Sequence, residues 1–236
     1  MPKMAANLSM LFNEVPFMDR FDAAAKAGFT GVEYLFPYDY DLDAIAEKLQ
    51  KNNLTQVLFN LPAGNWAAGE RGIACHPERV SEFQEGVGKA IDAAKKLGCK
   101  QVNCLSGPVL PGVSEDKLRA TFVSNLKFAA EKLKAEGIRL VTEPVNTIDM
   151  KNAYLNHTQQ AVDIIRETGS DNLFIQYDIY HMQRMEGELA NTIKANLPLI
   201  KHMQLADLPN RNEPGTGEIN YHFLFKFIDD IHNIRY

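Results

Sequence analysis

Several apolar runs in this sequence end on side chains that could do chemistry. Glu143 closes VTEPV, Asp178 and His181 close FIQYDIYH, Gln204 sits in HMQLAD, and Arg211 lies in the loop beyond. Aspartate is a poor strand residue, so a carboxylate at the end of FIQYD needs a reason. Glu143, Asp178 and Gln204 are all oxygen donors. Two carboxylates and an amide suit a hard divalent ion such as Mg²⁺ or Mn²⁺, whereas zinc more often recruits histidine or cysteine. One isolated carboxylate would be read as a cap meeting solvent. Carboxylates on adjacent strand ends, with an amide on the next, point instead to a site. His181 and Arg211 together would polarise and orient a small oxyanion or carboxylate, Arg211 through paired hydrogen bonds.

These residues need elements that bring them together. Short apolar runs alternate with helical patterns: 5–12 with 16–28, 31–37 with 41–53, 54–62 with 80–98, and 101–107 with 114–137. The pattern continues with 139–145 and 157–169, 173–181 and 187–198, then 200–207 and 220–232. Such alternation predicts parallel strands covered by helices, and no linker or low-complexity stretch divides residues 1–236 into domains. The expectation is one α/β domain, a TIM-type barrel with about seven strand–helix units where a closed barrel has about eight. The chain ends at HNIRY, where another strand is due. Strand ends converge on one face of such a barrel, and Asn7, Glu33, Asn60 and Asn103 belong to the earlier strands of that ring. Phe12, Phe36, Tyr38 and Trp66 fall near strand ends or loops and would wall a pocket or pack in the core. GPVLPG (107–112) lacks a phosphate-loop pattern and reads as a turn. His76, His157, His202, His222 and His232 have no comparable setting and are expected to be structural.

The formal net charge is −5. With no basic block, a nucleic-acid backbone is a poor partner. The three cysteines show no metal-type pairing and fit a reducing cytoplasm. The N-terminus is neither a convincing signal peptide nor a membrane span.

AANLSMLFNEVPF, AGFTGVEYLFPY, FIQYDIYHMQ, the glutamate of VTEPVN and MQLADLPNRNEPGTGEINY together resemble the hydroxypyruvate isomerase and 2-oxo-tetronate isomerase family. This family belongs to the xylose-isomerase-like barrel superfamily. The resemblance runs from residue 4 to about residue 230, and the stretch from Arg211 to Tyr221 is its most specific piece. It implies a metal bound by glutamate, aspartate, glutamine and a second glutamate, with the two glutamates serving as acid and base. Glu143, Asp178 and Gln204 match the first three positions, with His181 and Arg211 at positions that contact a small hydroxy or oxo acid. The family's second glutamate follows a final strand. Here FIDDIHNIRY stands in that region, and Asp229 and Asp230 lie in the helical pattern. The expectation is a barrel without its eighth unit, binding metal weakly and isomerising poorly. Its end strands would be satisfied by water, a rearranged tail or a second copy in a homo-oligomer. The rivals are a binding protein without activity and a metal-dependent nuclease of the same fold, the latter opposed by charge and sparse histidines.

Overall fold

The structure, a computed structural model, describes residues 3–233. Side chains from residue 232 onward fall outside the described residues, and with them the expectations for His232 and for the tail. Among the described residues, seven strands form one parallel sheet in chain order. They are β1 (Ala5–Asn7), β2 (Gly31–Glu33), β3 (Thr55–Asn60), β4 (Gln101–Cys104), β5 (Arg139–Thr142), β6 (Leu173–Asp178) and β7 (Ile200–Gln204). The α-helices are α1 (Arg20–Lys26), α2 (Leu42–Lys51), α3 (Val80–Leu97), α4 (Glu115–Ala135), α5 (Thr158–Thr168), α6 (Ile179–Met185), α7 (Leu189–Asn196) and α8 (Tyr221–Asn233). β1 and β7 stand at the two ends of the hydrogen-bonded order.

The helices form where one face can be buried. In α3, Phe83, Val87, Ala90, Ala94 and Leu97 recur at helical spacing and pack on the sheet, as do Leu118, Phe122, Leu126, Ala129 and Leu133 in α4. Asp41 and Ser114 accept hydrogen bonds from the first turns of α2 and α4. Gly98 and Gly169 adopt the left-handed conformation that ends α3 and α5.

The expected strand at 173–181 is shorter than its apolar run. β6 stops at Asp178, and IYHMQRM turns into α6. Asp178 itself is the reason. Its Oδ1 accepts from the backbone N–H of Tyr180 (2.8 Å) and His181 (3.3 Å), capping a new helix. His181 therefore rides on a helix, one turn from Asp178, rather than on a strand.

The inner face of the sheet is polar. Strand alternation points Asn7, Glu33, Asn60, Asn103, Gln176, His202 and Gln204 inward, where their side chains bond to one another. Glu33 Oε2 meets His202 Nε2 at 2.6 Å, and Glu33 Oε1 accepts from Gln204 Nε2 at 2.5 Å and Asn7 Nδ2 at 2.9 Å. These contacts tie β2 to β7 across the interior, so the sheet is rolled. His202, expected to be structural, takes a place in this polar network through Glu33. It sits two residues before Gln204 on one strand, and period-two alternation gives both the same inward face.

Candidate active site

Glu143 follows β5 directly and is 6% exposed; Asp178 and His181 are each 3% exposed. One ligating atom from each of these three residues lies within 4.8 Å of the other two. His181 Nε2 is 3.5 Å from Asp178 Oδ2 and 3.9 Å from Glu143 Oε1. Asn103 Nδ2 donates to Glu143 Oε2 at 2.9 Å and to Asn60 Oδ1 at 3.0 Å, orienting the carboxyl from below. Gln176 donates to Gln204 Oε1 at 2.9 Å and also hydrogen-bonds Glu143. Asp178 and Gln204 are paired residues of β6 and β7. Because the Glu33 carboxylate only accepts, the Gln204 nitrogen must face Glu33. Its amide oxygen then faces Gln176.

Burial first, and then the charge of Asp178, push the Glu143 carboxyl up to about 8. The charge of Arg211 and the hydrogen bonds from Asn103 and Gln176 oppose this. Glu33 behaves oppositely. Burial alone would raise it, but the charge of His202 and three donors outweigh burial and hold it below its ordinary value.

A raised carboxyl keeps a proton in the folded protein that the unfolded chain has released. Glu143 therefore favours the folded state at low pH, and that advantage drains away as pH climbs from 4.5 toward about 8. In chelator, the melting temperature is expected to be lower at about pH 8 than at about pH 7, and Glu143→Gln should flatten the slope. An unchanged slope in the variant would assign the pH dependence elsewhere.

His181 could offer Nε2 to a cation, but its surroundings argue otherwise. Asn146 donates to His181 Nδ1 twice, from its backbone N–H at 3.2 Å and from its side-chain nitrogen at 2.6 Å. The Asn146 amide oxygen is already used by the N–H groups of Ile148 and Asp149, so its nitrogen is the end facing the ring. Burial lowers the imidazole below its ordinary value, and an Nδ1 that accepts from Asn146 leaves the ring proton on Nε2. His181 is a donor toward the centre, not a ligand. Arg211 Nη2 lies 3.3 Å from that Nε2. Two donors this close do not bond each other; both turn toward Asp178 Oδ2, which Arg211 Nη2 approaches at 3.6 Å. The pair is shaped for one shared acceptor oxygen.

Sequence reasoning missed the scaffold behind Arg211. Its guanidinium stacks over the Tyr180 ring, 4.7 Å from the centroid. Tyr180 donates to Asp149 Oδ2 at 2.6 Å, and Arg184 donates to Asp149 Oδ1 at 3.0 Å. Tyr180 lay inside the quoted FIQYDIYHMQ stretch, but nothing in the sequence links it to Asp149. Leu105 and Val145, two residues beyond Asn103 and Glu143, join Ala63 and Ala153 in an apolar cluster against Phe36, Trp66 and Met150. Phe36 and Trp66 thus belong to a wall on the loop side of Glu143. Phe12 and Tyr38 pack on the main core.

Residues 21–233 match the family model described as xylose isomerase-like TIM barrel. The hydroxypyruvate isomerase of Escherichia coli K12 is 53% identical over 98% of this chain and 89% of its own length. The chain belongs to this family. Within it, the chain falls in the hydroxypyruvate isomerase and 2-oxo-tetronate isomerase group. The 2-oxo-tetronate isomerase of Cupriavidus necator is 42% identical, over 98% of this chain and 89% of its own. A crystal structure named AP endonuclease, family 2, from Brucella melitensis superposes with a TM-score of 0.95 at 44% identity. It covers 98% of this chain and 89% of its own. The kinship of this family makes the chain an isomerase acting on a small molecule. Among the described residues, no helix is long and apolar enough to cross a membrane.

Proposed function

We propose that residues 1–236 form a single barrel domain that interconverts hydroxypyruvate and tartronate semialdehyde, or the four-carbon 2-oxo-tetronate counterpart, with a divalent ion. The observation that supports this most is the buried Glu143–Asp178 pair facing two converging donors, His181 and Arg211.

The residues fit a cation. Burial first, and then the neighbouring Asp178, disfavour a negative charge on Glu143, and a cation between the two carboxylates would offset both effects. Glu143 and Asp178 supply hard donors of the kind that hold Mg²⁺ or Mn²⁺, and the Gln204 amide oxygen, which here accepts from Gln176, would be a third on turning to the ion. When bound, such an ion would polarise the substrate's carbonyl and hydroxyl oxygens and offset the negative charge of an enediolate.

The rest of the chemistry belongs to side chains. Arg211, permanently charged and forked, takes the substrate carboxylate. His181 donates its Nε2 proton to a substrate oxygen as charge develops there. Glu143 removes a proton from the hydroxyl-bearing carbon; electrons move into the C–C bond, giving the enediolate. Glu143, its proton exchanging with solvent before the second transfer, then delivers a proton to the former carbonyl carbon, while the hydroxyl proton passes to the former carbonyl oxygen. A carboxyl group at this position can both take and return a proton, as such two-way transfer requires. Phe36, Trp66 and the apolar cluster limit water access to the enediolate.

Purified protein with Mg²⁺ or Mn²⁺ should convert hydroxypyruvate, read by proton NMR. Arg211→Ala is expected to raise KM by ~10–10²-fold, the worth of a hydrogen bond to a charged group, with cation affinity held. Loss of cation at unchanged KM would remove Arg211 from substrate binding. The Brucella structure's name raises nuclease activity as a second reading. The net charge of −5 opposes it, and cleavage of abasic DNA by the purified chain would favour it. The buried free thiols Cys75, Cys99 and Cys104 accord with a reducing cytoplasm.

A further inference from the structure

The RNEPGTGEINY stretch contributes Arg211 to the site, but the rest of the motif has no role in that chemistry. The structure gives it one through Asp207, 1% exposed at the root of the loop. Asp207 Oδ1 accepts from the backbone N–H of Leu208 (2.9 Å) and Ile219 (3.0 Å). Its Oδ2 accepts from Gly215 (2.9 Å) and Gly217 (3.1 Å). The loop therefore leaves Asp207 and folds back on its carboxylate at several points. Asp207 N–H donates to Asn212 O at 2.7 Å, and Glu218 N–H to Leu208 O at 3.0 Å, cross-bracing it. Residues 209–218 are exposed, so little apolar burial holds their shape.

Gly217 explains part of the motif. A Cβ there would collide with Leu208 O and lie 2.8 Å from Asp207 Oδ1, so the close wrap around the carboxylate requires glycine. Arg211, at the outer bend, has a left-handed backbone with φ 58°. A bend of that kind persists only where its surroundings impose it.

We infer that Asp207 is a positioning residue for substrate recognition, its carboxylate gathering the 208–219 loop so that Arg211 is held over Asp178 and His181. This rests on the reading of Arg211 as the substrate-carboxylate contact. An amide at 207 would set an NH₂ against backbone N–H donors and lose about half of the cage.

The test compares the full chain with Asp207→Asn, Gly217→Ala, Arg211→Ala and the double variant D207N/R211A, each loaded with Mg²⁺ and assayed on hydroxypyruvate. Asp207→Asn and Gly217→Ala should each raise KM by ~10-fold or more, approaching Arg211→Ala, with kcat and Mg²⁺ affinity held. The double variant should be no worse than Arg211→Ala alone. Trypsin should cut after Arg211 faster in Asp207→Asn than in wild type, a signal of loop loosening that KM alone does not report. If Asp207→Asn fails to fold by circular dichroism, Gly217→Ala decides, since it disturbs the cage from the other side. If Arg211→Ala raises KM and the two loop variants do not, the inference fails and the substrate reading stands. If Arg211→Ala leaves KM unchanged, both fall.

Discussion

Glu143→Gln is expected to lower kcat by ~10²–10⁴, the usual worth of a positioned acid–base group, without unfolding the barrel. Glutamine has the same shape, and its amide oxygen can still accept from Asn103 Nδ2, which bonds Glu143 Oε2 in the wild type. What is lost is the capacity to take and return a proton. Substitution also removes a charge that burial, and then Asp178, disfavour, so the ion-free variant should melt above wild type near pH 8. The two effects have opposite signs, activity down and ion-free stability up, which separates them from general damage. Solvent deuterium should cease to enter substrate carbon in the variant. Exchange continuing at the wild-type rate would move proton transfer to another group.

Asp178 performs two tasks with separate oxygens, and two substitutions separate them. Oδ1 caps α6 through the N–H groups of Tyr180 and His181, while Oδ2 faces His181 Nε2 and Arg211. Asp178→Asn can keep an oxygen at the cap; Asp178→Ala cannot. Alanine should cost about 1 kcal/mol of stability beyond asparagine, the typical worth of a lost N-cap. Both should weaken Mg²⁺ or Mn²⁺ binding by at least ~10²-fold, since even a partner of a ligand is worth ~10–10²-fold. Both should also ease Glu143 part of the way back, because burial, its largest cause, remains. Calorimetric titration with Mn²⁺ and chemical denaturation measure the two tasks independently. Wild-type Mn²⁺ affinity in Asp178→Asn would remove Asp178 from the proposed ion site.

The legible part of this site was chemical. Glu143, Asp178 and Gln204 break apolar strand patterns where a polar residue is locally unfavourable, and the alternation of runs required strand ends on one face. Less legible was anything decided by contact across the fold. Residues 179–181 read as a continuation of β6, because a short run of this kind has no period that separates strand from helix. They became part of α6 only because the Asp178 carboxylate could cap it. His202 was open to inference from its spacing to Gln204. Its partner Glu33 was not, because that contact is made only when the sheet rolls. The proton position on His181 depends on Asn146, which lies on a different loop. The cage around Asp207 needs several backbone amides that no side-chain pattern announces.

On the proposed reading, this barrel moves a proton between adjacent carbons of a small hydroxy-oxo acid with the help of a divalent ion. The most direct test is proton NMR of hydroxypyruvate in D₂O with the chelated protein, before and after Mn²⁺ or Mg²⁺ is restored. Slight turnover is expected in chelator. On restoring the ion, tartronate semialdehyde should appear with deuterium at the former carbonyl carbon. Turnover indifferent to the chelator, or no isomerisation of hydroxypyruvate or of its four-carbon counterpart with either ion, would contradict that reading.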